Sequence, residues 1–287
     1  MRLEAAYYAT HAMCWAGTLS EHENERLATE WLFLLGNVEL AELQAPRIYE
    51  VLGEQSISNS TKNRKLSVLS KILHVAKDQG HLQELPKLTM YREPRPTDRS
   101  LTSAEFKRIY AAVGAPAARH ACTLLYETGA RVSELLAMDL RDVDLEQHTW
   151  RIPCSKNGDP RIVPLTTTAR DTVRDQRDLV GKVLGYGKVR FKSGAVFGAV
   201  ITQRQLSYEW EKARAKADLE HFRLHDLRHT NASRLVRRGV PLFTVSHLLG
   251  HRDIRTTMRY AHLDITATKA AMETLEKETD HEANLIG

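Results

Sequence analysis

The sequence predicts a mainly helical protein in two parts with one small β-sheet. Three observations carry this reading. Apolar residues recur at helical spacing through much of the chain. A charged stretch with two prolines interrupts that pattern near residue 96. One region, 149–165, holds two short β-type runs around an Asn-Gly pair. With 287 residues, 42% hydrophobic and 27% charged, the chain can bury a sizeable core in one large domain or two ordinary ones.

The first part, 1–93, reads as helices. Leu27, Trp31, Leu34 and Leu35 share one face of a helix over 25–35. A longer helix is expected over 59–79, where Leu66, Leu69, Leu73 and Ala76 make the apolar stripe. Lys62, Arg64, Lys65, Lys71 and Lys77 lie around it. Such a helix is either a solvated charged surface or a face that meets phosphates in a DNA groove. The segment "YREPRPTDRSLTSAEF" (91–106) supplies a linker, 94–101. Its prolines favour extended backbone over helix.

Thr102, with Glu105 three residues on, forms a capping box that opens the second part, 102–287. Helices are expected over 102–113 and 117–127, followed by the hairpin of 149–165 with Lys156 at its Asn157-Gly158 tip. Helices follow over 167–180, 203–217 and 225–238. Gly239 ends the last of these, Pro241 starts a helix over 241–249, and Gly250 stops it. An amphipathic helix over 264–278 closes the chain, with Ile265, Ala267, Ala271, Met272 and Leu275 on its apolar positions.

A net charge of +5 is consistent with a polyanionic partner. The cysteines, Cys14, Cys122 and Cys154, are odd in number and form no C-x-x-C pair, so a reduced, cytoplasmic protein is expected. No signal-peptide core and no membrane-spanning run are visible.

Taken singly, the polar residues have ordinary explanations. Arg131 opens a helix after a Thr-Gly turn and can pair with Glu134 on the same face. Lys156 is a turn lysine, and Tyr260 either packs in a core or meets a negative group. His225 and His229, like His247 and His251, sit four apart, as zinc ligands can. No H-E-x-x-H base and no neighbouring cysteine accompany them, so zinc is discounted and His229 is read as packed or capping. Together the residues suggest one chemistry. Arg131 and Arg228 are planar forks suited to the oxygens of a phosphodiester. His225, His251 and Lys156 can donate or move protons, and Tyr260 is a candidate covalent nucleophile. No acidic cluster is placed for Mg²⁺.

Three stretches carry a resemblance: "TGARVSELLAMDLRDVD", "SKNGDPRIVPL" and "LHDLRHTNASRLVRRGVPLFTVSHLLGHRDIRTTMRYAH". In order and spacing they resemble the motifs of the tyrosine recombinases, the phage-integrase family, over most of residues 25–275. The resemblance implies a helical, SAM-like core-DNA-binding domain and an α/β catalytic domain that together clamp duplex DNA. It implies a 3′-phosphotyrosyl intermediate made by Tyr260, with Arg131 and Arg228 on the phosphate, His251 bonded to it and Glu134 orienting Arg131. His225 would accept the phenolic proton and Lys156 would protonate the leaving oxygen. Lys62, Arg64, Lys65 and Lys71 would bind DNA in the first domain. It further implies no ATP, metal or other cofactor, a homotetramer on two duplexes, accessory DNA-bending or directionality proteins, and docking of the C-terminal helix on a neighbour. Little sequence precedes the core-binding match, with no room for an arm-site domain; either the protein works without arm sites or its N-terminus is truncated, and a resolving recombinase stays open beside an integrase. A DNA-binding regulator, a relaxing topoisomerase and a zinc hydrolase are the rival classes.

Overall fold

The computed structural model describes residues 1–18, 20–93, 99–153, 160–184, 196–264 and 272. Two compact units divide the chain, Met1–Pro96 and Thr97–Gly287.

The first unit is all helix: α1 (Leu3–Thr10), α2 (Glu21–Leu35), α3 (Ala45–Gly53) and α4 (Asn59–Asp78), with a π-helical turn at His11–Trp15. Helices α1 and α3 are additions to the helices expected; they are short, eight and nine residues, and bury Leu3, Ala6 and Tyr7 and Ile48, Val51 and Leu52 at helical spacing. Ser58 caps α4 by accepting the Thr61 N–H at 3.2 Å. Leu66, Leu69, Ile72, Leu73 and Ala76 of α4 are buried against Trp31 and Leu27 of α2. The Trp31 indole is satisfied there by the Lys65 carbonyl, 2.8 Å away.

Lys65 stands apart from the other α4 cations. Lys65 is buried, and its ammonium is held by Glu30 at 2.8 Å and by the Gln55 amide oxygen at 2.6 Å. It sits one residue before Leu66, on the edge of the stripe that packs on α2, so it turns inward and needs internal partners. Lys62 is partly covered and lies 5.4 Å from the Tyr91 ring. Arg64 and Lys71, seven residues apart, share an exposed face with Ser67 and His74.

The second unit contains α5 (Ser103–Ala112), α6 (Pro116–Thr128), α7 (Val132–Leu136), a three-stranded sheet, α8 (Thr167–Leu184), α9 (Gln203–Lys216), α10 (Asp226–Arg237), α11 (Leu242–Leu249) and α12 (Arg255–Met258). The capping box is formed, with the Glu105 N–H on the Thr102 hydroxyl at 3.2 Å and the Thr102 N–H on the Glu105 carboxylate at 2.7 Å. In the antiparallel sheet, β1 (Val143–Asp144) pairs with β2 (Thr149–Ile152), which pairs with β3 (Arg161–Pro164). The hairpin is therefore present, and β1 is an addition to it that the sequence does not signal, since two residues show no alternation. Lys156, Asn157 and Gly158 lie outside the described residues, as does the segment read as the closing helix apart from Asp264 and Met272.

The main core of this unit gathers Ile109, Leu124, Trp150, Phe197 and Trp210 between the sheet and the helices. A smaller core beneath α10 and α11 holds Val236, Val245, Leu249 and Tyr260. Gly129 ends α6 at φ +65, and a Cβ there would meet Asn231 Oδ1 and Leu249 Cδ2 at 2.7 Å. That close approach brings the α6 end against α10 and α11, where the candidate residues meet. Among the described residues, no helix is long and apolar enough to cross a membrane.

Candidate active site

The site forms around the C-terminal end of α11. Gly250 adopts φ +68 and stops the helix, leaving carbonyls without helical partners. Three arginines from three other elements take three successive carbonyls. Arg161 Nε donates to Leu248 O at 2.9 Å, Arg228 Nη2 to Leu249 O at 2.7 Å, and Arg131 Nη2 to Gly250 O at 3.3 Å. The negative end of the helix dipole favours this gathering of cations.

Glu134 ties two of them together. Its carboxylate accepts from Arg131 Nη1 at 2.7 Å and from the Arg131 N–H at 2.8 Å. From the other side, Arg161 Nη1 reaches it at 3.1 Å and Nη2 at 2.7 Å. Burial pushes the Glu134 pKa up, but the hydrogen bonds from Arg161 and Arg131 outweigh it and bring it down to about 2. The carboxylate is thus an ionised brace between the start of α7 and strand β3.

Arg228 is buried on α10, with Nη1 on Gly129 O at 2.8 Å. Burial first, and then the charge of Arg131, draws its pKa down to about 9. Each of its terminal nitrogens, like those of Arg131, carries a second N–H beyond the bonds named. His251 follows the Gly250 turn, and its Nδ1 pairs with the buried Thr257 hydroxyl at 2.7 Å. Burial, then Arg228 and Arg131, bring its pKa down to about 4. It is a neutral imidazole at neutral pH.

Tyr260 lies just beyond α12, buried to 3% exposure in the smaller core. Its hydroxyl is hydrogen-bonded to Nδ1 of His229. The His229 ring stands edge-on to His225, with centroids 5.1 Å apart. His225 is exposed at its surface; partial desolvation, and then the Arg228 charge, lower its pKa. Beside Arg131 and His225 opens a cleft of about 640 Å³, also lined by Gln203, Ser207, Arg214 and Arg223.

The structure therefore gathers Arg131, Glu134, Arg228, His251 and Tyr260 around α10 and the end of α11, with His225 at the rim. Two participants escaped the sequence reading. Arg161 was readable as an arginine on the same inward face of a strand as Val163. From the sequence His229 reads as packed or capping, and spacing gives no sign that a tyrosine thirty-one residues away comes to it. The tyrosine hydroxyl meets His229 rather than His225. Among the described residues, the group with metal-ligand spacing is His11, Glu21 and Glu25 in the first unit, and neither histidine pair belongs to it.

Residues 99–266 match the model of the phage integrase family. The chain belongs to that family. Among its relatives, the tyrosine recombinase XerD of Ralstonia nicotianae is 31% identical over 71% of this chain and 69% of that protein. The tyrosine recombinase XerC of Corynebacterium glutamicum is 33% identical over 54% of this chain. In that alignment the chain spans about half of the relative's length, 48%. Solved family structures share the fold. The Tn1549 transposon integrase in complex with transposon right end DNA superposes with a TM-score of 0.76 at 19% identity, covering 96% of this chain and 100% of that one. A lambda integrase dimer bound to a core site gives 0.70 at 19% identity, covering 88% and 96%. The family match includes Arg131, Lys156, His225, Arg228, His251 and Tyr260.

Proposed function

We propose that the protein is a site-specific DNA recombinase that cuts and rejoins duplex DNA through a 3′-phosphotyrosyl link to Tyr260. The observation that carries this is the convergence of Arg131, Arg228 and His251 on the end of α11, with the Tyr260 hydroxyl held one residue along α10 from Arg228. Family relatives named tyrosine recombinases support it. So do neighbours solved with DNA, one of them a lambda integrase tetramer on a Holliday junction.

In this reading the Tyr260 oxygen attacks phosphorus and the 5′-oxygen leaves. Arg131 and Arg228 hold the non-bridging oxygens and stabilise the charge that develops on them. Neutral His251 donates a further hydrogen bond, and Lys156 protonates the leaving oxygen. The link conserves bond energy, so a 5′-hydroxyl from a second duplex reverses the step without ATP. The exposed Arg64 and Lys71 face of α4 binds backbone phosphates. Four protomers in the cytoplasm act on two duplexes, as an integrase or as a resolving recombinase.

The test uses sheared genomic DNA from the source organism. Wild-type protein forms a denaturant-resistant adduct, and sequencing the attached DNA maps the site. Tyr260→Phe binds the same DNA and forms none. An adduct with Tyr260→Phe at the wild-type level refutes the assignment.

A further inference from the structure

We propose that His229, and not His225, receives the phenolic proton when Tyr260 attacks. The inference rests on the recombinase reading and adds the base to it. Three features of the site argue for it.

The first is geometry. The Tyr260 hydroxyl is hydrogen-bonded to His229 Nδ1. With the ring proton on Nε2, His229 Nδ1 accepts that bond and the phenol donates it. His225 meets His229 edge-on through its ring, and His229 stands between it and the tyrosine along the ring series. General base catalysis needs the base within hydrogen-bond reach of the proton it takes, and His229 meets that condition.

The second is protonation state. Burial first, then the charges of His225 and Arg259, take the His229 pKa down to about 4. Its neutral form leaves Nδ1 free to accept when Nε2 carries the ring proton. A phosphodiester arriving beside Arg131 and Arg228 brings a negative charge that counters the cationic surroundings. The imidazole becomes a stronger base when substrate is in place.

The third is placement. His229 follows Arg228 directly on α10, so the arm that grips the phosphate and the arm that takes the proton share one rigid helix. The bond from Tyr260 Oη to phosphorus forms and the bond from phosphorus to the 5′-oxygen breaks. The phenolic proton moves to His229 Nδ1, and the leaving oxygen takes a proton from the group proposed as acid. On rejoining, the His229 imidazolium returns its proton to Oη. His225, at the rim of the cleft with Arg131, is left as a phosphate contact.

The experiment compares His229→Asn, His229→Ala and His225→Asn. The amide of His229→Asn places a hydrogen-bonding atom near the position of Nδ1 but cannot take a proton. Single-turnover adduct formation is measured on a nicked suicide duplex carrying the mapped site, at saturating DNA, with affinity and thermal melting measured alongside. His229→Asn is expected to slow adduct formation about 100-fold, the lower range for loss of a general base, with affinity and melting near wild type. His225→Asn is expected to weaken DNA affinity more than it slows the saturated rate. A His229→Asn rate within about threefold of wild type, below what loss of any general base produces, overturns the proposal. So does a saturated rate abolished by His225→Asn and spared by His229→Asn.

A DNA-free arm separates this inference from the recombinase reading. Tetranitromethane nitrates accessible tyrosines, and Tyr208, at 62% exposure, is the internal reference. Tyr260, buried in the smaller core, is expected to be nitrated more slowly than Tyr208 in wild type and His229→Asn, and faster in His229→Ala than in wild type. Nitration of Tyr260 at the Tyr208 rate in wild type shows an exposed phenol and overturns the pairing. A wild-type protein that shows this pairing but yields no DNA adduct refutes the recombinase reading instead.

Discussion

Arg161 and Glu134 form a two-bond ion pair at 2.7 and 3.1 Å, with side chains only 2% and 3% exposed. Neither is placed to touch a substrate, yet the pair fixes what does. Glu134 spends its remaining capacity on Arg131, and Arg161 also braces the last turn of α11. The strand that leaves the hairpin thereby locks the helix end on which the three arginines converge.

Removing one partner of a buried pair leaves the other charge uncompensated. Arg161→Met is expected to lower unfolding free energy by about 3 kcal/mol or more in urea denaturation. Arg161→Met with Glu134→Leu restores much of that stability, since no buried charge remains, but Arg131 then lacks its orienting carboxylate. The double variant is therefore expected to fold and bind DNA while forming adduct slowly. A double variant as unstable as Arg161→Met sinks this account of the pair.

The same carboxylate sets an acid limit. Its pKa is lowered from 4.5 to about 2 in the folded protein. A depressed carboxylate contributes stability above its unfolded pKa and loses it as pH falls toward the folded one. The window is therefore from about pH 4.5 down to about 2, and the contribution is on the order of 3 kcal/mol. Glu134→Gln is expected to flatten the pH dependence of urea midpoints in that window relative to wild type. Parallel curves would assign acid sensitivity to other groups.

Much of this site is legible in the amino-acid order alone. Glycines at 129, 239 and 250, each at positive φ, end helices where the sequence pattern predicts an end. The pairing of Arg131 with Glu134 follows from helical spacing. What stays hidden depends on distance along the chain. Arg161 meets Glu134 across 27 residues, and His229 meets Tyr260 across 31, and no local period encodes either. Lys65 shows a second limit. Helical spacing tells which positions are apolar, but a lysine at the edge of the stripe turns out or in according to whether an acid waits inside, and here Glu30 does.

That difference among the α4 cations gives a prediction on DNA. Arg64 and Lys71 are exposed on one face, whereas Lys65 is enclosed by Glu30 and Gln55. Each backbone phosphate that a protein ceases to neutralise reduces the salt slope of log affinity by about 0.9. Arg64→Ala and Lys71→Ala are each expected to reduce the slope by about that much while leaving thermal melting near wild type. Lys65→Met is expected to do the reverse. Its slope stays at the wild-type value, and melting falls because Glu30 and the Gln55 amide lose their shared donor. The measurement is fluorescence anisotropy of labelled duplex across a salt series for each variant. A slope change in Lys65→Met as large as that in Lys71→Ala would mean the ammonium leaves its internal partners for DNA, and would return it to the binding face.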